Sequence, residues 1–475
     1  MQHPFDRYGT FTDVAALKAA TDKPLRKSKR VNTLKGSVTE FMAWAKNKSW
    51  TVEQVPWCPE GFFIDREDRE SALGKDLLHL LGHTYMQESA SMLPVELLDV
   101  QPGHVVLDMA AAPGSKSTQI AAKLGSKDAA ARGILIANDV QEKRLWTLKA
   151  ALHRCGNTNV IVTKKVGQWF MKQMTERFDR VLCDAPCTAQ GTARKDSDAL
   201  LYSSAENAGK MARLQKEMLE AAIHAVKVGG RIVYSTCTLT PEENEGVIAH
   251  VLNKFSEQIE VLEPELVPNS GLQKSVEDSH RVQAHVGVGP FPAVRLWPQT
   301  YDTEGFFSAV IRKKAPTRQP ERLPSYRYQE DPVPRARQKE LAARLEEYYG
   351  TSFLFPGETL FQRGTQLILS TEEVLDYALP VQDYALGMPF GRRLDDGRVR
   401  IDHEIATLRG HLATQNVMHI TGEILSVLLD GRDVSCEPSL RGDILLIFDG
   451  KVVGFGLAKE GKLRNRLPRW VIQKS

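Results

Sequence analysis

Between residues 100 and 315 short apolar runs alternate with stretches of helical periodicity. The runs are HVVLDM (104–109), GILIAND (133–139), NVIVTKK (159–165), FDRVLCDAP (178–186), GRIVYSTC (230–237) and FFSAVIR (306–312). Most lack polar alternation, the pattern of strands covered on both faces. Helix candidates lie between them, such as Glu206 to Val226, closed by Gly229-Gly230. Alternating β and α elements predict a doubly wound, mostly parallel α/β sheet over residues 96–315.

The flanks have other patterns. RVNTLKGSVTEFMAWAKNKSWTVEQV predicts strand, amphipathic helix and strand, with Gly36 and Ser37 at the helix start. Residues 1–95 are therefore an α+β unit. Residues 316–337 are rich in proline and charge, which disfavour helix interior and central strand, and predict a linker. Residues 338–415 form an intermediate domain. Residues 416–475 are β-rich: RGDILLIFDGKVVGFGLAK predicts two strands joined by Asp449-Gly450.

Composition narrows the class. A chain of 475 residues exceeds one compact domain. The net charge of +3 is small, but the basic residues cluster. Lys23, Arg26, Lys27, Lys29, Arg30 and Lys35 form one group, and Arg312, Lys313, Lys314, Arg318 and Arg322 another. Lys459, Lys462, Arg464, Arg466 and Arg469 form a third. Three such groups suit a polyanion touching several domains, although any one alone is ordinary solvated surface. The six cysteines show neither CxxC spacing nor a zinc-ligand pattern. No signal-peptide pattern and no membrane-length apolar run occurs, so a cytoplasmic protein with reduced thiols is expected.

Chemistry concentrates where strands end. After Asp108 comes a loop of small residues, Ala110, Ala111, Ala112, Pro113 and Gly114, before a helix near Ser115 and Lys116. Such a loop lets a ligand approach backbone N–H groups. It matches neither dinucleotide nor P-loop fingerprints. Asp139 ends the second strand, where an acid can hold ribose hydroxyls. Asp184 stands at the end of the fourth run and Cys187 just past it, while Cys183, within its apolar part, suits packing. Cys237 ends the fifth, before TPEENE. There Thr240, Pro241 and Glu243 predict a capped helix start, whose positive end would favour a thiolate. Singly, each is an ordinary turn, cap or core residue. Together they should line one edge of one sheet, where α/β folds bind ligands.

At these residues the sequence resembles the Nop/Sun family of S-adenosylmethionine-dependent RNA (cytosine-5) methyltransferases. The matching pieces are AAAPGSK, DAPC, YSTCTLTPEENE and RLWPQTYDTEGFF, with PLRKSKRVNTLK and YMQESASMLPV before them. The resemblance implies a Rossmann-like methyltransferase core. GFGLAKEGKLRNRLPR is similar to the tail of a bacterial group in that family, one that modifies small-subunit ribosomal RNA and carries a PUA-like RNA-binding domain. Residues 416–475 would then be PUA-like.

The resemblance further implies that Ala110 to Lys116 cradle the methionine part of S-adenosylmethionine and that Asp139 holds its ribose. Asp184 would sit between cofactor and cytosine, Cys237 would be the nucleophile, and Cys187 would assist product release. Two positions depart from the family. Val166 stands where an acid often contacts the adenine side, and Thr188-Ala189-Gln190-Gly191 replaces Ser-Gly-x-Gly. The reading is a monomeric enzyme acting on RNA, ribosomal RNA before transfer RNA, with no membrane partner. A non-catalytic ribosome assembly factor and an amino-group methyltransferase are the rivals.

Overall fold

The computed structural model describes residues 3–68, 72–125, 133–201, 204–264, 281–282, 291–320 and 326–473. Its largest sheet has nine strands: β1 (Val105–Asp108), β2 (Ile134–Asn138), β3 (Val160–Thr163), β4 (Phe178–Asp184), β5 (Val226–Thr236), β6 (Ile259–Leu262), β7 (Val294–Leu296), β8 (Phe306–Lys313) and β9 (Ala385–Leu386). Their order is β6-β8-β5-β4-β1-β2-β3-β9, with β7 also on β8. β1 to β5 are parallel, and β6 to β9 run antiparallel to their neighbours. The crossover helices are α1 (Ser115–Leu124), α2 (Glu142–Cys155), α3 (Gly167–Gln173) and α4 (Ala205–Ala225), and α5 (Glu245–Lys254) follows β5.

The unbroken apolar runs are explained by this sheet. Val106, Leu135, Leu182 and Val233 enter one core layer, and Leu107, Ile136, Val181 and Ile232 enter the layer on the opposite face. The strand order reverses at β1, between β2 and β4. That is the switch point beyond which such sheets bind ligands.

The N-terminal unit is a four-stranded antiparallel sheet, Thr51–Gln54, Gly61–Asp65, Lys27–Val31 and Thr84–Met86 in that order. Its helix Val38–Asn47 starts on a capping box between Ser37 and Glu40. The expected phosphate-gripping cluster is halved here. Lys29 is fully buried and pairs with Asp76 at 2.7 Å. Arg30 is buried and donates to Thr118 Oγ1 at 2.8 Å. Lys35 turns inward onto Leu81 O (2.9 Å) and Thr407 Oγ1 (2.8 Å). Lys29 thus braces the N-terminal unit internally, and Arg30 and Lys35 fasten it to its neighbours, leaving Lys23 and Lys27 exposed and Arg26 half-buried on Glu53.

The second basic cluster is also misplaced for a role at the site. Arg312 pairs in register with Arg231, five residues before Thr236, at the sheet edge away from the carboxyl ends of β4 and β5. Lys313 is buried on Glu176 and Val226 O. Arg322 lies outside the described residues. The third cluster is exposed at Lys459, Lys462, Arg464, Arg466 and Arg469.

Two five-stranded sheets follow the core. The first contains Asp331–Pro332, Glu358–Arg363, Gln366–Thr371, Met388–Arg393 and Val399–Ile401, with helix Arg335–Tyr349. Its elements thus begin inside the stretch expected as linker. Pro332 occupies an edge strand and Pro334 the cap before the helix, where a missing N–H is tolerated. Within this region β9 leaves the sheet and extends the core sheet on β3. The last sheet pairs Gly442–Phe448 with Lys451–Lys459 around Asp449 and Gly450, whose φ values of 48° and 71° are those of a type I′ turn.

The two ends of the chain share one core: Val31, Phe41, Phe62 and Leu77 pack in the same cluster as Leu425, Ile444, Leu446 and Val453. No helix of the described residues is long and apolar enough to cross a membrane.

The buried Lys29–Asp76 pair makes a testable point. Burial pulls the Lys29 pKa down, against the pull of Asp76. Asp76→Ala leaves the ammonium buried without its carboxylate, with an expected loss of about 3–5 kcal/mol in urea unfolding. Lys29→Met combined with Asp76→Leu should recover most of that loss.

Candidate active site

The loop from Ala110 to Gly114 runs from the end of β1 into α1. Small side chains let it fold tightly, and Gly114 has φ of +112°, which only glycine adopts readily. A Cβ at Gly114 would also lie 3.0 Å from the Ala151 methyl on α2. Ala112 N donates to Asp139 Oδ2 at 3.3 Å, so the acid ending β2 orders the loop. The other Asp139 oxygen accepts from Gln141 N at 2.9 Å, and Arg144 lies 3.3 Å from the first. Asn138, which the sequence reading passed over, bridges three strand ends: it donates to Met109 O and Lys165 O and accepts from Lys165 N.

Asp108 is buried beneath this loop. Its Oδ2 accepts from Ser117 Oγ at 2.7 Å, while Oδ1 has no hydrogen-bond partner among the described residues. Burial pushes its carboxyl up to about 7. A cradle of small residues at the switch point, an unpartnered buried oxygen and a second acid ending β2 together fit S-adenosylmethionine. Val166 caps α3 with about half its surface exposed (53 %), presenting an apolar face where the family often has an acid.

The reactive side lies across β4 and β5. Asp184 pairs in register with Ser235 and accepts from its Oγ at 2.7 Å. Lys116, expected with the cofactor loop, places its ammonium 2.7 Å from Asp184 and over the Phe306 ring. Burial works to lower its pKa. The charge and hydrogen bond of Asp184, with Cys237 and Asp108 beyond, leave it raised instead. Cys187 and Cys237 are both free, with their sulfurs 3.4 Å apart. Contact with Cys237, then burial, pushes the Cys187 thiol well up. Cys183 is fully buried in the core layer.

What holds the two cysteine loops together is Glu243, which is fully buried. It accepts from Thr188 N (3.0 Å) and Thr188 Oγ1 on one loop, from Thr240 Oγ1 (2.7 Å) on the other, and from Gln215 Nε2 (2.8 Å) on α4. This overturns the capping-box expectation. Glu243 turns to the neighbouring loop, residues 241–244 form a turn, and α5 begins only at Glu245. The expected helix terminus therefore lies farther along the chain from Cys237, and Lys116 is the cation that faces the sulfur.

The departures around Gln190 have a structural reading. Ala189 has φ of 56°, a left-handed conformation that costs a non-glycine residue about 1 kcal/mol. Gly191 N donates to Cys237 O at 2.9 Å, and Gly305 N donates to Gly191 O at 2.9 Å. A Cβ at Gly191 would lie 2.2 Å from the Gly305 carbonyl oxygen, so glycine is required where three backbones meet.

One acid pair escaped the sequence reading. Glu304 is buried just before β8, and its backbone N donates to Glu88 Oε1 at 3.4 Å. Burial first, then the Glu88 charge, pushes Glu304 up to about 7, and burial raises Glu88 too. Both lie in quoted motifs, TYDTEGFF and YMQESAS, but separation in sequence hid their contact.

Fold and site together define a Rossmann-like methyltransferase. A family model described as 16S rRNA methyltransferase RsmB/F matches residues 95–312, and one for the N-terminal domain of 16S rRNA methyltransferase RsmF matches residues 8–89. The chain is 34% identical over 469 residues to the Ribosomal RNA small subunit methyltransferase F of Psychromonas ingrahamii, covering 96% of this chain and 92% of that one. It is 35% identical over 469 residues to the protein of that name from Aeromonas salmonicida, with the same coverages. A crystal structure of a methyltransferase homolog protein from Pyrococcus horikoshii superposes with a TM-score of 0.53 at 33% identity, covering 65% of this chain and 94% of that one. The chain belongs to the ribosomal RNA small subunit methyltransferase F family.

Glu243→Ala is expected to cost at least about 3 kcal/mol in urea unfolding, because Thr188, Thr240 and Gln215 lose their buried acceptor. The same variant should lose methyltransferase activity as the two cysteine loops separate.

Proposed function

We propose that this protein transfers a methyl group from S-adenosylmethionine to C5 of a cytosine in small-subunit ribosomal RNA, through a covalent bond between Cys237 and C6. The observation that carries the reading is the pair of free thiols 3.4 Å apart at the ends of β4 and β5, beside the Asp184–Lys116 ion pair.

C5 of cytosine is a poor nucleophile because the ring is electron-deficient. Addition of a thiolate at C6 turns C5 into an enamine-like carbon. Cys237 supplies the sulfur, on the side of the site that holds the Lys116 ammonium. Asp184, bound to that ammonium, accepts from the cytosine N4 amino group rather than donating to N3. S-adenosylmethionine, when bound, supplies the electrophilic methyl group. Ala110 to Lys116 would cradle its methionine part and Asp139 would hold its ribose, with Val166 on the adenine side. Loss of the C5 proton then expels Cys237, and Cys187, in contact with that sulfur, assists the release.

The target base must leave its stack or come from an unpaired loop. The N-terminal unit, residues 1–95, and a PUA-like unit, residues 416–475, which pack against each other, would grip the RNA backbone beside the 96–315 core. The exposed Lys459, Lys462, Arg464, Arg466 and Arg469 support that role for the second.

Cys237→Ala is expected to abolish methylation while leaving RNA binding intact, measured by tritium transfer and filter binding. Full activity in that variant would favour chemistry on an exocyclic nitrogen. Cys187→Ala should accumulate a covalent protein–RNA adduct on denaturing gels. Normal turnover without adduct would remove the release role.

A further inference from the structure

We propose that Glu304, backed by Glu88, is the base that takes the C5 proton of the target cytosine after methyl transfer. The inference deepens the cytosine-5 reading and rests on it. That chemistry needs a base; of the strand-end acids Asp184 is held by Lys116, and Asp108 lies beneath the cofactor loop, bonded to Ser117.

The fold puts Glu304 beside the nucleophile. β8 runs antiparallel to β5, with Phe307 opposite Thr236. The chain before Phe306 therefore continues alongside the chain after Thr236, where Cys237 stands. Two backbone hydrogen bonds, Gly305 N to Gly191 O and Gly191 N to Cys237 O, lock those segments together. A Cβ on Gly305 would lie 2.8 Å from the Leu239 side chain, so the two segments are in contact.

The other acids nearby are engaged. Asp184 is held by Lys116 and Ser235, Glu243 by Thr188, Thr240 and Gln215, and Glu245 by Arg295. Glu304 has a buried Oε1 with no hydrogen-bond partner among the described residues, as do Asp108 Oδ1 and Glu245 Oε2, but Asp108 lies beneath the cofactor loop on Ser117 and Glu245 is paired with Arg295. The charges that face it are Glu88, Lys195, Lys116 and Arg194. Glu88 is itself fixed by Ser89 Oγ (2.9 Å) and Ser91 N (3.2 Å), so its carboxyl, also raised by burial, stays against Glu304. A carboxyl near 7 is well matched to accepting a carbon-bound proton at neutral pH.

The step balances. After methyl transfer C5 carries both hydrogen and methyl. The Glu304 carboxylate takes the proton, the C5–H electron pair forms the C5=C6 bond, and the C6–S bond breaks with its pair left on Cys237. Glu304 ends as a neutral acid that loses its proton to solvent.

Two RNAs separate this step from those before it. They are small ribosomal subunits from cells lacking this protein, and the same subunits rebuilt with 5-fluorocytidine in their RNA. Fluorine leaves no C5 proton to remove, so adduct formation on that RNA does not need the base. Glu304→Gln is expected to turn over the ordinary RNA about 100-fold more slowly or worse. It should accumulate a methylated adduct at Cys237 and form the 5-fluorocytidine adduct at the wild-type rate. Glu304→Asp, which keeps a carboxylate, should restore part of the turnover. Should Glu304→Gln not fold, Glu304→Asp carries the same comparison, with slowed elimination and an unchanged 5-fluorocytidine adduct. Turnover within about threefold of wild type, or an equal loss of adduct on the fluorinated RNA, overturns the assignment. Absence of any adduct between wild type and the fluorinated RNA overturns the Cys237 reading itself.

Discussion

The register between β4 and β5 sets the rest of the site. Cys183 lies opposite Tyr234 and Asp184 opposite Ser235. Asp184 and Ser235 therefore share one face and one level, and their side chains bond across it. The next few residues of each strand leave the sheet together, which brings Cys187 and Cys237 into contact. A slip of one residue would send Asp184 to the opposite face and separate the sulfurs. Both strands are buried on both faces, so a slip would disrupt the close packing of two core layers at once.

Beyond the strand ends the ladder can no longer hold the chain, and buried polar groups take over. Glu243 ties the two loops by accepting from both and from α4. Gly191 lets the first loop lie directly against the backbones of Cys237 and Gly305. A buried carboxylate of this kind is costly to desolvate, and it is tolerated only because four donors converge on it. The same demand for satisfied buried groups explains why Lys29 braces the N-terminal unit from within, and Arg30 and Lys35 fasten it to its neighbours, rather than serving as surface charge.

This divides what was legible in the chain from what was not. The parallel sheet, its strand ends and the residues there follow from local pattern, because apolar runs and small-residue loops are local signals. Asp184, Cys187 and Cys237 could be grouped by the rule that α/β ligands bind at strand carboxyl ends. Glu243 could not be read correctly, because TPEENE satisfies a local capping rule and only a loop some fifty residues away in sequence, at Thr188, draws its side chain elsewhere. Glu88 and Glu304 are farther apart still, and no periodicity connects them. The basic clusters misled for a related reason. Composition counts charge, but whether a lysine faces solvent or a buried aspartate is decided by packing between units.

That packing also bears on how RNA is held. The N-terminal unit and the last sheet share one apolar cluster, in which Phe41 and Phe62 meet Ile444 and Leu446. Arg30 and Lys35 then bind the N-terminal unit to α1 and to the intermediate region, through Thr118 and Thr407. The exposed basic edge at Lys459 to Arg469 is thus joined to the Cys237 cleft by packed cores and buried polar bonds rather than by a flexible tether. Phosphate contacts carry no base identity of their own, but on a rigid frame they fix the distance between the gripped backbone and the reactive sulfur. On the proposed reading, selection of one cytosine among many would become a matter of geometry: only a base that reaches the site while the backbone rests on that edge would meet the sulfur, Lys116 and Glu304 together.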